Sequence, residues 1–325
     1  MKNILTKLLL IIFIIIFLTI IFINPVRAFD KNEVLRKEDT FEQLENAPEN
    51  NIIYKFDKKT NKTTIVDVDE ILALYNLSRT NESMGFMSQN QQKSIWTDNK
   101  FTRDTPNWFF SPHLGLRPYS DTCKIKAEGD IRNGSGFLVG SNLLLTNAHC
   151  VFEDKNFENY YPNWICYPAY DNGAYASGLY TGWSTVYYSS GYSSNIESVS
   201  NENDWAICVL QSNLGDTQGW FSCSSYGSSS YLEDKAIKQI GYPDNDIFSG
   251  KYQYCSTGNI TNVRSKSFDT NAINYRGMSG GPIVLQSNEN SAVGLIKGFY
   301  NDNTTYGVRI TSDIVNLIIS LQQSN

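Results

Sequence analysis

Histidine is almost absent from this sequence, with two residues, His113 and His149, among 325. Two isolated imidazoles cannot build a zinc site, and neither C-x-x-C nor H-E-x-x-H spacing occurs, so no metal and no other cofactor is expected. Proline is sparse at nine residues, and no basic cluster interrupts a chain of net charge −6 and isoelectric point about 5.1. Mild acidity without a basic patch argues against nucleic acid as a partner. No histidine lies downstream of Ser279. That absence constrains what the serine can do.

The N-terminus has its own texture. Lys2 and Lys7 precede an almost wholly apolar run from Leu8 to Ile23, which closes on Val26-Arg27-Ala28. A positive n-region, an apolar core and a small-residue exit read as a secretory signal peptide over residues 1–28, and hence as a secreted product with no stable membrane association. The competing reading is an uncleaved anchor, because the run sits near the lower length limit for spanning. Residues 29–93 are rich in Lys, Glu, Asp and Asn and contain no cysteine. They read as a pro-segment, with a solvated stalk as the bland alternative and the boundary falling between Lys93 and Arg103. The six cysteines, Cys123, Cys150, Cys166, Cys208, Cys223 and Cys255, form an even set that in an exported chain suggests three disulfides. Cys150 with Cys166 is favoured, since a bridge there would brace the loop behind His149. Sequons at Asn61, Asn76, Asn81, Asn133, Asn259 and Asn303 fit a glycoprotein on a secretory route.

From residue 94 to 325 short apolar runs, such as Gly136–Val139, Trp205–Leu210 and Ile283–Leu285, alternate with Gly, Asn, Asp and Ser clusters. That rhythm predicts an all-β barrel or sandwich rather than βαβ units. About 230 residues suit two small barrels sharing an interface. After Ser312 the period changes, and Ile314, Leu317, Ile318 and Leu321 recur at helical spacing, which predicts a C-terminal helix. The Tyr-, Ser- and Gly-rich stretch from Asp171 to Asn203 reads as long exposed loops.

The stretch that organises the chain chemically is Arg276-Gly277-Met278-Ser279-Gly280-Gly281-Pro282. A serine between glycines sits where the backbone turns tightly and can aim successive N–H groups at one point, as an oxyanion hole requires. Its hydroxyl needs an adjacent base. Gly277-Met278-Ser279-Gly280-Gly281 also fits G-x-S-x-G, but an α/β-hydrolase elbow demands a histidine after the serine. None exists here, which disfavours an esterase or lipase. His149 instead ends the apolar strand of Leu143-Leu144-Leu145-Thr146-Asn147-Ala148-His149-Cys150. His113 has no supporting motif.

Thr146-Asn147-Ala148-His149-Cys150 and Gly277-Met278-Ser279-Gly280-Gly281-Pro282 resemble the His and Ser boxes of chymotrypsin-like (trypsin superfamily) serine proteases. That order of base and nucleophile is the one the superfamily uses. The resemblance covers approximately Cys123 to Leu321 and implies two six-stranded antiparallel β-barrels with a closing helix. It also implies peptide-bond hydrolysis on protein or peptide substrates by a monomer. The acid must lie between His149 and Ser279. Asp204 stands apart from the other aspartates because it immediately precedes Trp205-Ala206-Ile207, which is similar to the D-hydrophobic-A-hydrophobic run that carries the family's acid. By the same resemblance Gly277 and Ser279 supply the oxyanion N–H groups. Met278 stands where trypsin-like zymogens carry an aspartate, so their charge switch is lost. With Tyr275, Gly241-Tyr242-Pro243 and Tyr306–Ile310, it points to the V8-like glutamyl endopeptidase branch. Ile273, Asn274, Leu295, Lys297 and Gly298 are expected to line the specificity pocket. Lys297 or Arg276 would favour an acidic P1 side chain and Leu295 or Ile273 an apolar one; both stay open. The rival class is a protease-like binding module that has lost activity.

Overall fold

Short β-branched and aromatic runs bounded by turn residues become strands, as their spacing predicts. The computed structural model describes residues 52–66, 108–111, 114–127, 133–153, 163–175, 179–195, 197–244, 248–301 and 304–324. The expected signal peptide, most of the expected pro-segment and His113 lie outside these residues.

In chain order the first strands are β1 (Ile53–Asp57), β2 (Lys62–Val66), β3 (Trp108–Phe110), β4 (Thr122–Lys126), β5 (Asn133–Leu138) and β6 (Leu143–Thr146). There follow β7 (Ile165–Pro168), a two-residue pair β8 (Tyr170–Asp171) and β9 (Ala174–Tyr175), β10 (Trp183–Ser189) and β11 (Ala206–Leu210). The second half carries β12 (Ser222–Cys223), β13 (Ala236–Gly241), β14 (Tyr254–Val263), β15 (Ser267–Thr270), β16 (Pro282–Leu285), β17 (Asn288–Asn301) and β18 (Thr304–Arg309). Helices α1 (Glu197–Glu202), α2 (Leu214–Gln218) and α3 (Ser229–Leu232) are short, and α4 (Ser312–Ser324) closes the described chain.

Two sheets result. The first runs β2-β1-β10-β11-β6-β5-β4-β7, and Cys166 of β7 bridges Thr181, just ahead of β10, so its six later strands curl back on themselves. The second runs β12-β17-β16-β13-β14-β15-β18, with β3 added on β14, and β17 pairs again with β18, closing a six-stranded barrel of β13 to β18. Each barrel holds its own apolar core. Leu138, Leu144, Trp164, Trp183 and Cys208 fill the first, and Ile237, Ile260, Phe268 and Ile283 fill the second. A further cluster joins Phe137, Leu145, Ile207, Val284 and Leu295 to the apolar stripe of α4. In α4, Ile314, Leu317, Ile318 and Leu321 are all buried, as their helical spacing predicts.

The β1–β2 hairpin is a departure. It falls within the segment read as a pro-segment, yet β1 pairs with β10 over five residues, from Ile53 with Ser189 to Asp57 with Thr185. Ile53 and Phe56 are buried on opposite faces of β1, Ile53 in the cluster shared with α4 and Phe56 in the first barrel's core, where its ring lies 6.0 Å from Trp183 and 6.4 Å from Phe152. The Lys and Asp residues interspersed with them masked these two in the composition.

The cysteines also differ from expectation. All six are free thiols, and Cys150 and Cys166 are not bridged. Five are buried and serve as small apolar groups on barrel strands. Burial pushes the thiols of Cys123 and Cys208 well up and that of Cys255 to about 12, which suppresses the reactive thiolate. Among the described sequons, Asn61 and Asn259 are exposed. Asn133, by contrast, spends its amide on the Asp244 carboxylate.

Candidate active site

The register of the first sheet brings base and acid together. Ala206 of β11 pairs with Thr146 of β6, so Asp204, two residues before the strand, comes beside the 3-10 turn of Ala148–Cys150. Asn147 donates to the Asp204 carbonyl at 2.6 Å, which fixes one edge to the other. The His149 backbone N–H donates to Asp204 Oδ1 at 3.0 Å, and His149 Nδ1 lies 2.7 Å from Asp204 Oδ2. A carboxylate on Nδ1 leaves Nε2 free to act as an acceptor. Asp204 is fully buried, whereas the His149 side chain keeps 32% of its surface open.

Ser279 comes from the other barrel, on the turn before β16. Gly277 and Gly280, at φ +91° and +83°, give this turn its shape. A Cβ on Gly277 would fall 2.5 Å from the Tyr242 carbonyl, and one on Gly280 would fall 2.2 Å from the Ser135 carbonyl. Only glycine fits either place. Ser135 of β5 ties the barrels together at this point. Its N–H donates to the Ser279 carbonyl at 2.8 Å and its hydroxyl to the Gly277 carbonyl at 2.8 Å, while the Tyr242 N–H donates to Ser135 Oγ at 2.9 Å. No sequence signal singled out Ser135, because its partners lie more than a hundred residues away. Neither Gly277 N–H nor Ser279 N–H donates to a protein acceptor among the described residues, so both remain available to an oxyanion.

Lys297 of β17 links the three residues. Its backbone carbonyl accepts the Ser279 hydroxyl at 3.2 Å. Its ammonium is ion-paired with Asp204 Oδ2 and stands 3.4 Å from His149 Nδ1. The hydroxyl is thus held by Lys297 rather than by the imidazole. The ammonium of Lys297, a residue expected in the specificity pocket, is drawn toward the imidazole by Asp204. Leu295 is expected there as well. It is fully buried in the cluster between the barrels and presents no surface to a ligand. Ile273 is half-buried and Asn274 buried, and the Asn274 amide donates to the Gly298 carbonyl at 3.0 Å. A Cβ on Gly298 would meet nothing within 4 Å, so open space lies beside it.

The electrostatics follow from these contacts. Burial disfavours a charged imidazole, but the Asp204 carboxylate, with a smaller contribution from neighbouring Cys150, outweighs it, and His149 is raised from 6.5 to about 9 while Lys297 pulls the other way. Burial likewise favours a neutral acid at Asp204. The charges of His149 and Lys297 prevail, holding it well below the usual carboxylate range.

With this geometry in place, the likeness to known proteins becomes specific. Residues 134–295 match the trypsin-like peptidase domain family. This match and the fold support a chymotrypsin-like serine protease. A solved Glu endopeptidase in complex with MPD superposes at TM-score 0.58 with 24% identity, covering 68% of this chain and 98% of that one. Protease Anisep of Arthrobacter nicotinovorans superposes at TM-score 0.50 with 20% identity, covering 63% of this chain and 96% of that one. At these identities the two structures support the fold. A Bacillus subtilis protein named extracellular metalloprotease is 25% identical over 187 residues, 57% of this chain. The chain spans 56% of that relative's length. Among the described residues no three His, Cys, Asp or Glu side chains gather as a metal site. Nor, among these residues, is any helix long and apolar enough to cross a membrane.

Proposed function

We propose that the protein is an exported serine endopeptidase in which His149, Asp204 and Ser279 act as base, orienting acid and nucleophile. The observation that carries this reading is the 2.7 Å contact of His149 Nδ1 with Asp204 Oδ2, made from one barrel toward a serine turn on the other. Rotation of the Ser279 hydroxyl off the Lys297 carbonyl delivers its proton to His149 Nε2. The oxygen attacks the peptide carbonyl, and the oxyanion is received by the N–H groups of Gly277 and Ser279. His149 then protonates the departing amine, and water hydrolyses the acyl-enzyme by the same base. Each oxyanion donor contributes about 3–4 kcal/mol.

With the Lys297 ammonium held by Asp204, an acidic P1 residue is left with exposed Arg276 as its cation, whereas half-buried Ile273 suits an uncharged one. An uncharged P1 side chain is therefore the preference proposed. The signal peptide over residues 1–28 and the pro-segment over 29–93 belong to the same reading. A cut between residues 93 and 103 would leave the β1–β2 hairpin held to β10 by its backbone pairing. Cleavage of a peptide library by the full chain, by the chain cut in that interval, and by Ser279→Ala tests activity and preference together. Undiminished cleavage by a folded Ser279→Ala protein would overturn the mechanism.

The rival reading of an inactive binding module draws on the Ser279–Lys297 hydrogen bond. It predicts no reaction with a fluorophosphonate.

A further inference from the structure

Asp204 carries more partners than a base-orienting acid requires. Its Oδ1 accepts the His149 backbone N–H at 3.0 Å, and its Oδ2 accepts His149 Nδ1 at 2.7 Å. The Lys297 ammonium converges on that same Oδ2 and stands 3.4 Å from Nδ1. Two donors thus share one oxygen of a fully buried carboxylate, and one of them is a full positive charge. The Lys297 side chain is 20% exposed, so water screens it only in part.

We propose that Lys297 is a positioning residue for the reaction, its ammonium competing with the imidazole for Asp204 and thereby governing how firmly His149 holds its proton. The inference rests on the reading of His149 as the base. The physical reason is charge balance. With Lys297 present, the carboxylate is already neutralised, and a proton on the imidazole adds an uncompensated charge to the cluster. Without it, imidazolium and carboxylate form a closed pair. The titratable or charged groups facing His149 among the described residues are Asp204 from the turn before β11, Lys297 from β17 and Cys150 from its own turn. Ser279, from the turn before β16, brings only a neutral hydroxyl. Lys297 is therefore the cation in this set, and its removal has a defined sign. The Ser279–Lys297 carbonyl contact belongs to the backbone and survives a side-chain change.

The test follows the His149 imidazole directly, by NMR titration of the 15N-histidine-labelled full chain in a Ser279→Ala background. His113 is the only other histidine, and a His113→Gln variant assigns the two signals. Replacing Lys297 with Met is expected to raise the His149 pKa by about one unit, and Lys297→Arg, which keeps the charge, to leave it within a few tenths. In the active protein the acid limb of kcat/KM should move upward by the same amount. If Lys297→Met does not fold, Lys297→Gln replaces it with the same expected result. An unchanged or lowered pKa in the neutral variant overturns the proposal, as does an Arg variant that shifts as far as Met. Absence of peptidase activity in the parent chain would instead defeat the functional reading and leave the titration to be read on its own.

Discussion

The hydroxyl of Ser135, on the first barrel, donates to the carbonyl of Gly277, on the second, at 2.8 Å. Together with the Ser135 N–H bond to the Ser279 carbonyl, this contact ties the serine turn to the barrel that carries the base. Removing the hydroxyl in Ser135→Ala leaves two buried backbone groups, Gly277 C=O and Tyr242 N–H, without a partner, at a cost of about 1–3 kcal/mol. Because Gly277 would supply an oxyanion donor, kcat/KM should fall by roughly 10–100-fold. Chemical denaturation and steady-state kinetics on the same protein check both parts.

Gly280→Ala should be worse for the fold. The new Cβ would meet the Ser135 carbonyl and Thr146 Oγ1 at 2.2 Å, at a residue already at φ +83°. Neither a backbone carbonyl nor a fully buried threonine can retreat cheaply. The positive φ alone costs a non-glycine residue about 1–3 kcal/mol, so a drop in melting temperature of several degrees is expected by calorimetry.

Asp204→Asn removes the group that fixes the imidazole tautomer. Turnover should fall by about 10⁴, the scale known for the equivalent change in a chymotrypsin-type enzyme. In the parent chain, the raised folded-state value of His149 makes kcat/KM climb through a pKa well above neutrality, toward about 9, rather than near neutrality as an unperturbed imidazole would.

The pair also gives stability a pH window. His149 is raised above its unfolded 6.5, so its contribution is complete below that value and is lost as pH rises through about 9. Asp204 is depressed below its unfolded 3.8, so its contribution is present above that value and is lost as pH falls through its folded-state pKa. Urea midpoints of Asp204→Asn against pH should therefore lack the parent's decline between pH 6.5 and 9.

The β1–β2 hairpin yields a structural prediction. Phe56 is buried against Trp183 and Phe152, so Phe56→Ala should destabilise the first barrel by about 3–5 kcal/mol. An exposed change on the same hairpin, Lys62→Ala, should cost less than about 0.5 kcal/mol.

Those residues mark where the sequence could and could not be read. The approach of His149 to Asp204 and the glycine turn at Ser279 were legible because local motifs carry them, and α4 because Ile314, Leu317, Ile318 and Leu321 repeat at helical spacing. The strands of both barrels followed from turn punctuation. Ser135 left no trace, since a serine that bridges two barrels looks like any serine in a Gly-Ser-Gly run. The surroundings of Lys297 and Leu295 were not legible for a related reason. Strand alternation says that neighbours face opposite sides, but not which side holds a buried carboxylate able to capture an ammonium. Ile53 and Phe56 were obscured by the charged residues around them. The disulfides were inferred from parity and export, and neither tells where a strand register sets each thiol.

The most direct measurement of the central claim is mass-spectrometric mapping of a fluorophosphonate adduct on the full chain and on the chain cut between residues 93 and 103. The expected result is one adduct, on Ser279, lost in Ser279→Ala and strongly slowed in His149→Ala. A folded protein that carries no adduct at Ser279 in either form, or reacts there equally well without His149, would contradict it.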